Sequence, residues 1–135
     1  METNDANRGD LRQLAAELRK LHKLLIDCQS RAFGAVGTPF DHLQLVTTHP
    51  DFAWLRILSE FMVEIDERLD EEAALTDVEL DAFKSALEQL IGPAAASQPA
   101  FREKYLAALH DSPELTIQHG ALRLALGKLS RRPAH

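Results

Sequence analysis

The sequence predicts an all-α fold, an antiparallel helical bundle of four main helices plus one or two short ones. Three observations carry this. Apolar residues recur three and four positions apart over most of the chain, the period of helices with one buried face. No stretch alternates apolar and polar residues with β-branched enrichment, so no strand is expected. Proline and glycine fall between the periodic stretches and leave short connections. With 135 residues, 45% of them hydrophobic and 27% charged, the chain can bury a core without covalent staples.

The elements follow in order. Residues 1–9 are polar and are expected as a flexible N-terminus, with 10–130 as one helical-bundle domain and 131–135 as a flexible C-terminus. Asp10, with Gln13 three residues on, has the spacing of a capping box and sets the expected start of the first helix. Leu11, Leu14, Leu18, Leu21, Leu25, Cys28 and Ala32 then form a seam sustained over three heptads, and Gly34 and Gly37 mark its stop. Thr38-Pro39 pairs an N-cap with proline at the first helical position. The short helix it opens is expected to bury Phe40, Leu43 and Val46. His49-Pro50-Asp51 separates it from a stretch in which Phe52, Leu55, Leu58, Met62, Ile65 and Leu69 share one stripe, widened by Trp54, Ile57 and Phe61. As the most apolar helix of the chain, this one is expected at the centre.

Thr76 and Glu79 give a Thr-x-x-Glu capping box, with Leu75 and Leu80 placed as a hydrophobic staple. Leu80, Phe83, Leu87 and Leu90 form the buried face of that helix, and Gly92-Pro93 ends it. After the small-residue linker 94–99, a helix over 100–110 presents Phe101, Tyr105, Leu106 and Leu109. Ser112-Pro113 repeats the cap-plus-proline start for a last helix carrying Leu115, Ile117, Ala121, Leu124 and Leu129. Gly120 and Gly127 weaken it by about 1 kcal/mol each relative to alanine.

The net charge is −6 but is unevenly spread: +1 over residues 1–37, −10 over 38–95 and +3 over 96–135. A globally acidic chain is a poor phosphate neutraliser, so no nucleic acid is expected as a partner. The start, Met1-Glu2-Thr3-Asn4-Asp5, is the reverse of a secretory signal, and no uncharged run approaches a membrane span. A cytoplasmic protein without membrane partners is the expectation. Its single cysteine, Cys28, excludes an intramolecular disulfide, and on an apolar stripe it is read as a small buried hydrophobe.

Candidate chemistry is sparse. The Glu-x-x-His spacing of carboxylate-bridged di-metal bundles is absent, because Glu17 precedes His22, and Glu114 precedes His119, by five residues. No nucleophile elbow, phosphate loop or dinucleotide fingerprint occurs, so no catalytic residue, cofactor or metal ligand is assigned. His119 on the last helix is read as a hydrogen-bonded neutral histidine facing the core, and Tyr105 as a core aromatic. Glu60, Glu64, Glu67 and Glu71 follow four-three-four spacing and form one stripe of like charge, either a solvated face or a docking strip for a basic partner. Arg123, Lys128, Arg131 and Arg132 make a weak basic patch suited to a phosphate or to the acidic strip of a second copy.

From Thr38 to Glu67 the order of features resembles small all-helical bacterial proteins of uncharacterised function. The residues are Thr38-Pro39, Leu43-Gln44-Leu45-Val46, Pro50-Asp51-Phe52-Ala53-Trp54-Leu55, Leu58-Ser59 and Ile65-Asp66-Glu67, with His119-Gly120-Ala121 later in the chain. The resemblance implies a bacterial cytosolic protein and no site residues.

Two functional expectations follow from the residues. The first is a non-enzymatic interaction or regulatory module that uses Glu60, Glu64, Glu67 and Glu71 against a basic partner surface. The alternative is a small-ligand- or metal-binding bundle with His42, His49 and Trp54 lining the site. Self-association as a homodimer fits either, since a long leucine seam serves a dimer as readily as a monomeric bundle.

Overall fold

The computed structural model describes residues 2–31, 37–92 and 98–130. Six α-helices account for nearly all of them: α1 Glu2–Arg31, α2 Pro39–Thr48, α3 Arg56–Asp70, α4 Asp77–Ile91, α5 Pro99–Asp111 and α6 Pro113–Ser130, with a 3₁₀ stretch at Pro50–Leu55. No strand occurs among the described residues. The fold is all-α.

The caps read at Thr38, Thr76 and Ser112 are formed, whereas Asp10, read as a cap with Gln13, lies inside α1. Thr38 Oγ1 accepts from Asp41 N at 3.1 Å while Asp41 Oδ2 accepts from Thr38 N at 3.1 Å, a reciprocal box ahead of Pro39. Thr76 and Glu79 do the same for α4, with Leu75 and Leu80 buried beside them as the staple. Ser112 Oγ accepts from Leu115 N at 3.2 Å at the head of α6. His49 replaces a hydroxyl cap at the 3₁₀ stretch, its Nδ1 accepting from Asp51 N at 3.1 Å. The backbone N–H of Gly92 closes α4 on the Glu88 carbonyl so tightly that a Cβ there would meet this oxygen at 2.7 Å.

Helix α1 begins at Glu2, ahead of the Asp10 start that local spacing predicts. The cause is tertiary. Asn7 is completely buried and its amide donates to the Leu75 carbonyl and to Asp77 Oδ1, both at 2.9 Å. Arg8 donates to the carbonyls of Leu69, Glu71 and Ala73 at 2.9, 2.7 and 2.6 Å. Asn4 Oδ1 accepts from Leu75 N at 2.7 Å. The polar first turns of α1 thereby supply hydrogen-bond partners to the backbone between α3 and α4, which has no regular structure to satisfy it. The segment expected as a flexible N-terminus therefore folds as helix from Glu2 onward, and residues 131–135 and Gly34 lie outside the described residues.

The centre of the bundle is α1, in place of the apolar helix after Pro50. At 30 residues it is about 45 Å long. Its seam of Leu11, Leu14, Leu18, Leu21 and Leu25 is at most 1% exposed. It packs against α3, α4, α6 and the 3₁₀ stretch. Length decides this: no other helix can cover so many partners. Arg19 meets Asp66 at 2.6 Å and His22 Nε2 meets Ser59 Oγ at 2.9 Å, so α1 and α3 run antiparallel. Gln118 donates to the carbonyl and carboxylate of Glu17 at 3.0 and 2.7 Å, which joins α6 to α1.

Two predicted buried faces are corrected. In α2, Phe40 and Leu43 are 64% and 58% exposed. Of the expected three only Val46 turns to the bundle, partly buried together with His42 and Leu45 and with the C-cap His49. In α6, Ile117 and Leu124 are 75% and 62% exposed, while Leu115, Leu122 and Leu126 are buried. Both helices have apolar residues on two sides, and contact with neighbours selects one. Leu106 of α5 is likewise 54% exposed, whereas Phe101 and Tyr105 are buried.

Candidate functional site

Helix α3 turns Leu58, Phe61 and Ile65 inward, so its period places positions 60, 63, 64 and 67 outward. Glu60, Glu64 and Glu67 are exposed there, around Val63 at 53% exposure. No cation among the described residues forms an ion pair with any of the three. Glu71 does not continue the stripe. The helix ends at Asp70, and Glu71 is its C-cap in an extended conformation. Its carboxylate lies 3.6 Å from Arg68 and its carbonyl is held by Arg8. The four-glutamate stripe expected from the spacing is thus a three-glutamate rail, because the helical period lapses before the fourth member.

Arg68 anchors the end of that rail. It pairs with Glu79 and donates to the Ala73 and Ala74 carbonyls at 3.3 and 2.8 Å. The guanidinium, with help from Thr76, holds the Glu79 carboxyl down at about 2. The arginines near the acidic segment are thus engaged away from the three glutamates: Arg8 with carbonyls, Arg19 with Asp66, and Arg68 with Glu71, Glu79 and two carbonyls.

Of His42, His49 and Trp54, only Trp54 lines the cleft at the C-terminal end of α1. His42 Nε2 lies 2.6 Å from Ser30 Oγ, tying α2 to the end of α1. His49 is occupied as the cap already described. Trp54 alone lines a cleft of about 550 Å³ at the corner where the C-terminal end of α1 meets the α5–α6 turn. Its indole N–H donates to Gln29 Oε1 at 3.3 Å. Leu25, Cys28 and Arg31 come from α1, Lys104, Ala108 and Asp111 from α5, and Ser112 and Glu114 from the turn and the head of α6. Cys28 is partly buried rather than fully so, and Arg31 donates to its sulfur at 3.2 Å. Lys104, Asp111 and Glu114 had no signal in the sequence, since their only relation to Trp54 is through the fold.

A row of rings runs inward from this cleft. Trp54 and Phe101 centroids are 5.4 Å apart, Phe101 and Tyr105 stack at 5.7 Å, and Tyr105 and His119 follow at 5.5 Å. Tyr105 is fully buried, and burial pushes its phenol far above the ordinary range. It stays protonated, and its hydroxyl shares a hydrogen bond of 2.6 Å with His119 Nδ1. Burial, then Arg123, lowers the His119 pKa and favours the neutral imidazole. His119 faces the core and is hydrogen-bonded there. His22 is lowered by burial alone.

Among the described residues no three of His, Cys, Asp and Glu are grouped to hold a metal ion, and no helix is long and apolar enough to cross a membrane. No family model, curated protein or solved structure matches the chain.

Proposed function

We propose that this chain is a non-enzymatic cytoplasmic interaction module, a helical bundle that offers the outer face of α3 to a basic partner surface. The observation that supports this reading is the rail of Glu60, Glu64 and Glu67, which spans about 10 Å of helix and has no counterion among the described residues. Like charges at helical spacing cost a few tenths of a kcal/mol per pair in the free protein. A basic partner relieves that cost, and Val63 in the middle gives the contact an apolar centre. Steering by such a face acts mainly on the association rate and weakens as salt rises. The test is Glu60→Lys, Glu64→Lys and Glu67→Lys together, with cross-linking mass spectrometry in source cells. Partners held by the wild type and lost by the triple variant support the reading. Partners retained equally by both refute it.

The cleft favours a second reading, a small-ligand site with Trp54 as an apolar wall and Lys104, Asp111 and Glu114 as polar ones. His42 and His49 play no part in it. Native mass spectrometry of protein isolated from its own source checks this: an added mass that Trp54→Ala removes supports a ligand, and a bare chain mass counts against it.

A further inference from the structure

The outward stripe of α6 is where the structure departs most from an ordinary surface helix. With Leu115, Leu122 and Leu126 buried, the opposite side of the helix carries Ile117, Gly120, Leu124 and Gly127. These four alternate three and four residues apart, the spacing of a helix-pairing seam. Ile117 is 75% and Leu124 62% exposed, and a Cβ built on Gly120 or Gly127 meets nothing within 4 Å. The centre of a solvated helix face is normally where charge is placed, yet here charge stands only at the ends and edges. Glu114 lies in the first turn and Lys128 in the last.

We propose that this face pairs two copies of the chain through antiparallel α6 helices, related by a twofold axis near Gly120 and Ala121. In that register Ile117 of each copy meets Leu124 of the other, twice by symmetry. Both glycines lie in the contact, where the missing side chains let the backbones approach closely. The same register brings Glu114 of each copy to Lys128 of the other, on the same side of the seam. Parallel pairing would instead stack Lys128 on Lys128 and align the two helix dipoles. The charge order along α6 thus favours the antiparallel arrangement. A single helix pair buries less than the roughly 1,200 Å² of a stable interface, so the dimer is weak and concentration-dependent. The inference does not depend on the acidic face of α3.

Sedimentation equilibrium on the full chain from about 10 µM to about 1 mM tests it, since mass action reveals a weak dimer only across such a range. The wild type is expected to pass reversibly from monomer toward dimer. Ile117→Glu and Leu124→Glu each raise the dimer Kd at least about tenfold, with an unchanged circular dichroism spectrum because both side chains point outward in the monomer. Glu114→Lys alone and Lys128→Glu alone weaken the dimer, and the double swap restores it. A wild type that stays monomeric throughout overturns the proposal. So does a dimer insensitive to Ile117→Glu, or one abolished instead by reversing Glu60, Glu64 and Glu67, which would place the contact on α3. A dimer that the double swap fails to restore overturns the antiparallel register.

Discussion

Substitution of Asn7 by aspartate changes one amide nitrogen to oxygen and leaves the side-chain volume almost untouched. The native amide is completely buried and donates to two acceptors, the Leu75 carbonyl and Asp77 Oδ1, at 2.9 Å each. A carboxylate there can donate to neither and faces both with like polarity. The neutral hydrogen bond is worth about 0.5–1.5 kcal/mol and the bond to a charged group about 1.5–3 kcal/mol, so their loss costs about 2–4.5 kcal/mol. Stranding the buried Leu75 carbonyl raises the total to roughly 3–5 kcal/mol. For a chain of this length the unfolding entropy is about 0.3 kcal/mol/K near 60 °C, which converts to a fall in Tm of about 10–17 °C. Burial and the neighbouring Asp77 favour the protonated acid, which recovers one donor. The penalty relative to wild type is therefore expected to be smaller at pH 4 than at pH 7. Urea unfolding followed by circular dichroism at both pH values measures it, with Gln13→Glu on the exposed side of α1 as a control expected to stay within about 0.5 kcal/mol. A loss below about 1 kcal/mol at pH 7 would refute the claim that this amide locks α1 to the start of α4.

Three further outcomes are expected. The folded-state pKa of Glu79 is about 2, below its ordinary 4.5, so its contribution to stability is complete above pH 4.5 and lost as pH falls toward 2; thermal melts across that window should show the loss, and Glu79→Gln should flatten it. His22 and His119 are also lowered, from 6.5, so below that pH the unfolded chain binds protons first and stability declines until the folded imidazoles titrate. Replacing both by asparagine should remove that part of the profile, and an unchanged slope would mean the two rings are not desolvated as described. Gly127→Ala should stabilise the monomer by about 1 kcal/mol, since the site is helical and the added methyl enters open space. Dilute protein in urea, where self-association is negligible, provides the measurement, and a destabilised variant would contradict the open geometry.

Local chemistry written within three or four residues was legible in the sequence. The boxes at Thr38 and Thr76, the Ser112 cap, the Gly92 stop and the leucine seam of α1 each depend on side chains within one or two turns of one another. These formed as read, whereas the equally local Asp10–Gln13 signal was overridden by the distant contacts of Asn4, Asn7 and Arg8. The single-residue connection at Ser112 brings α5 and α6 together, and with it Tyr105 onto His119. The Glu60, Glu64 and Glu67 rail follows in the same way from the inward period of α3.

Tertiary structure alone decided matters in which the chain offered equal alternatives or depended on distant partners. Nothing near Asn7 and Arg8 announces a helix, because their acceptors lie more than sixty residues away between α3 and α4. In α6 the stripes Leu115–Leu122–Leu126 and Ile117–Leu124 are both apolar, and burial against the bundle selects the first. In α2 the same choice left Phe40 and Leu43 outside. Each histidine of the candidate trio found a polar partner close by, Ser30 for His42 and the Asp51 N–H for His49, and neither lines the cleft that Trp54 does. Buried hydrogen-bonding groups need partners, and which partner each histidine meets is set by the fold. Apolar periodicity determines that a helix has a face to bury. Which face is buried is a property of the neighbour it meets.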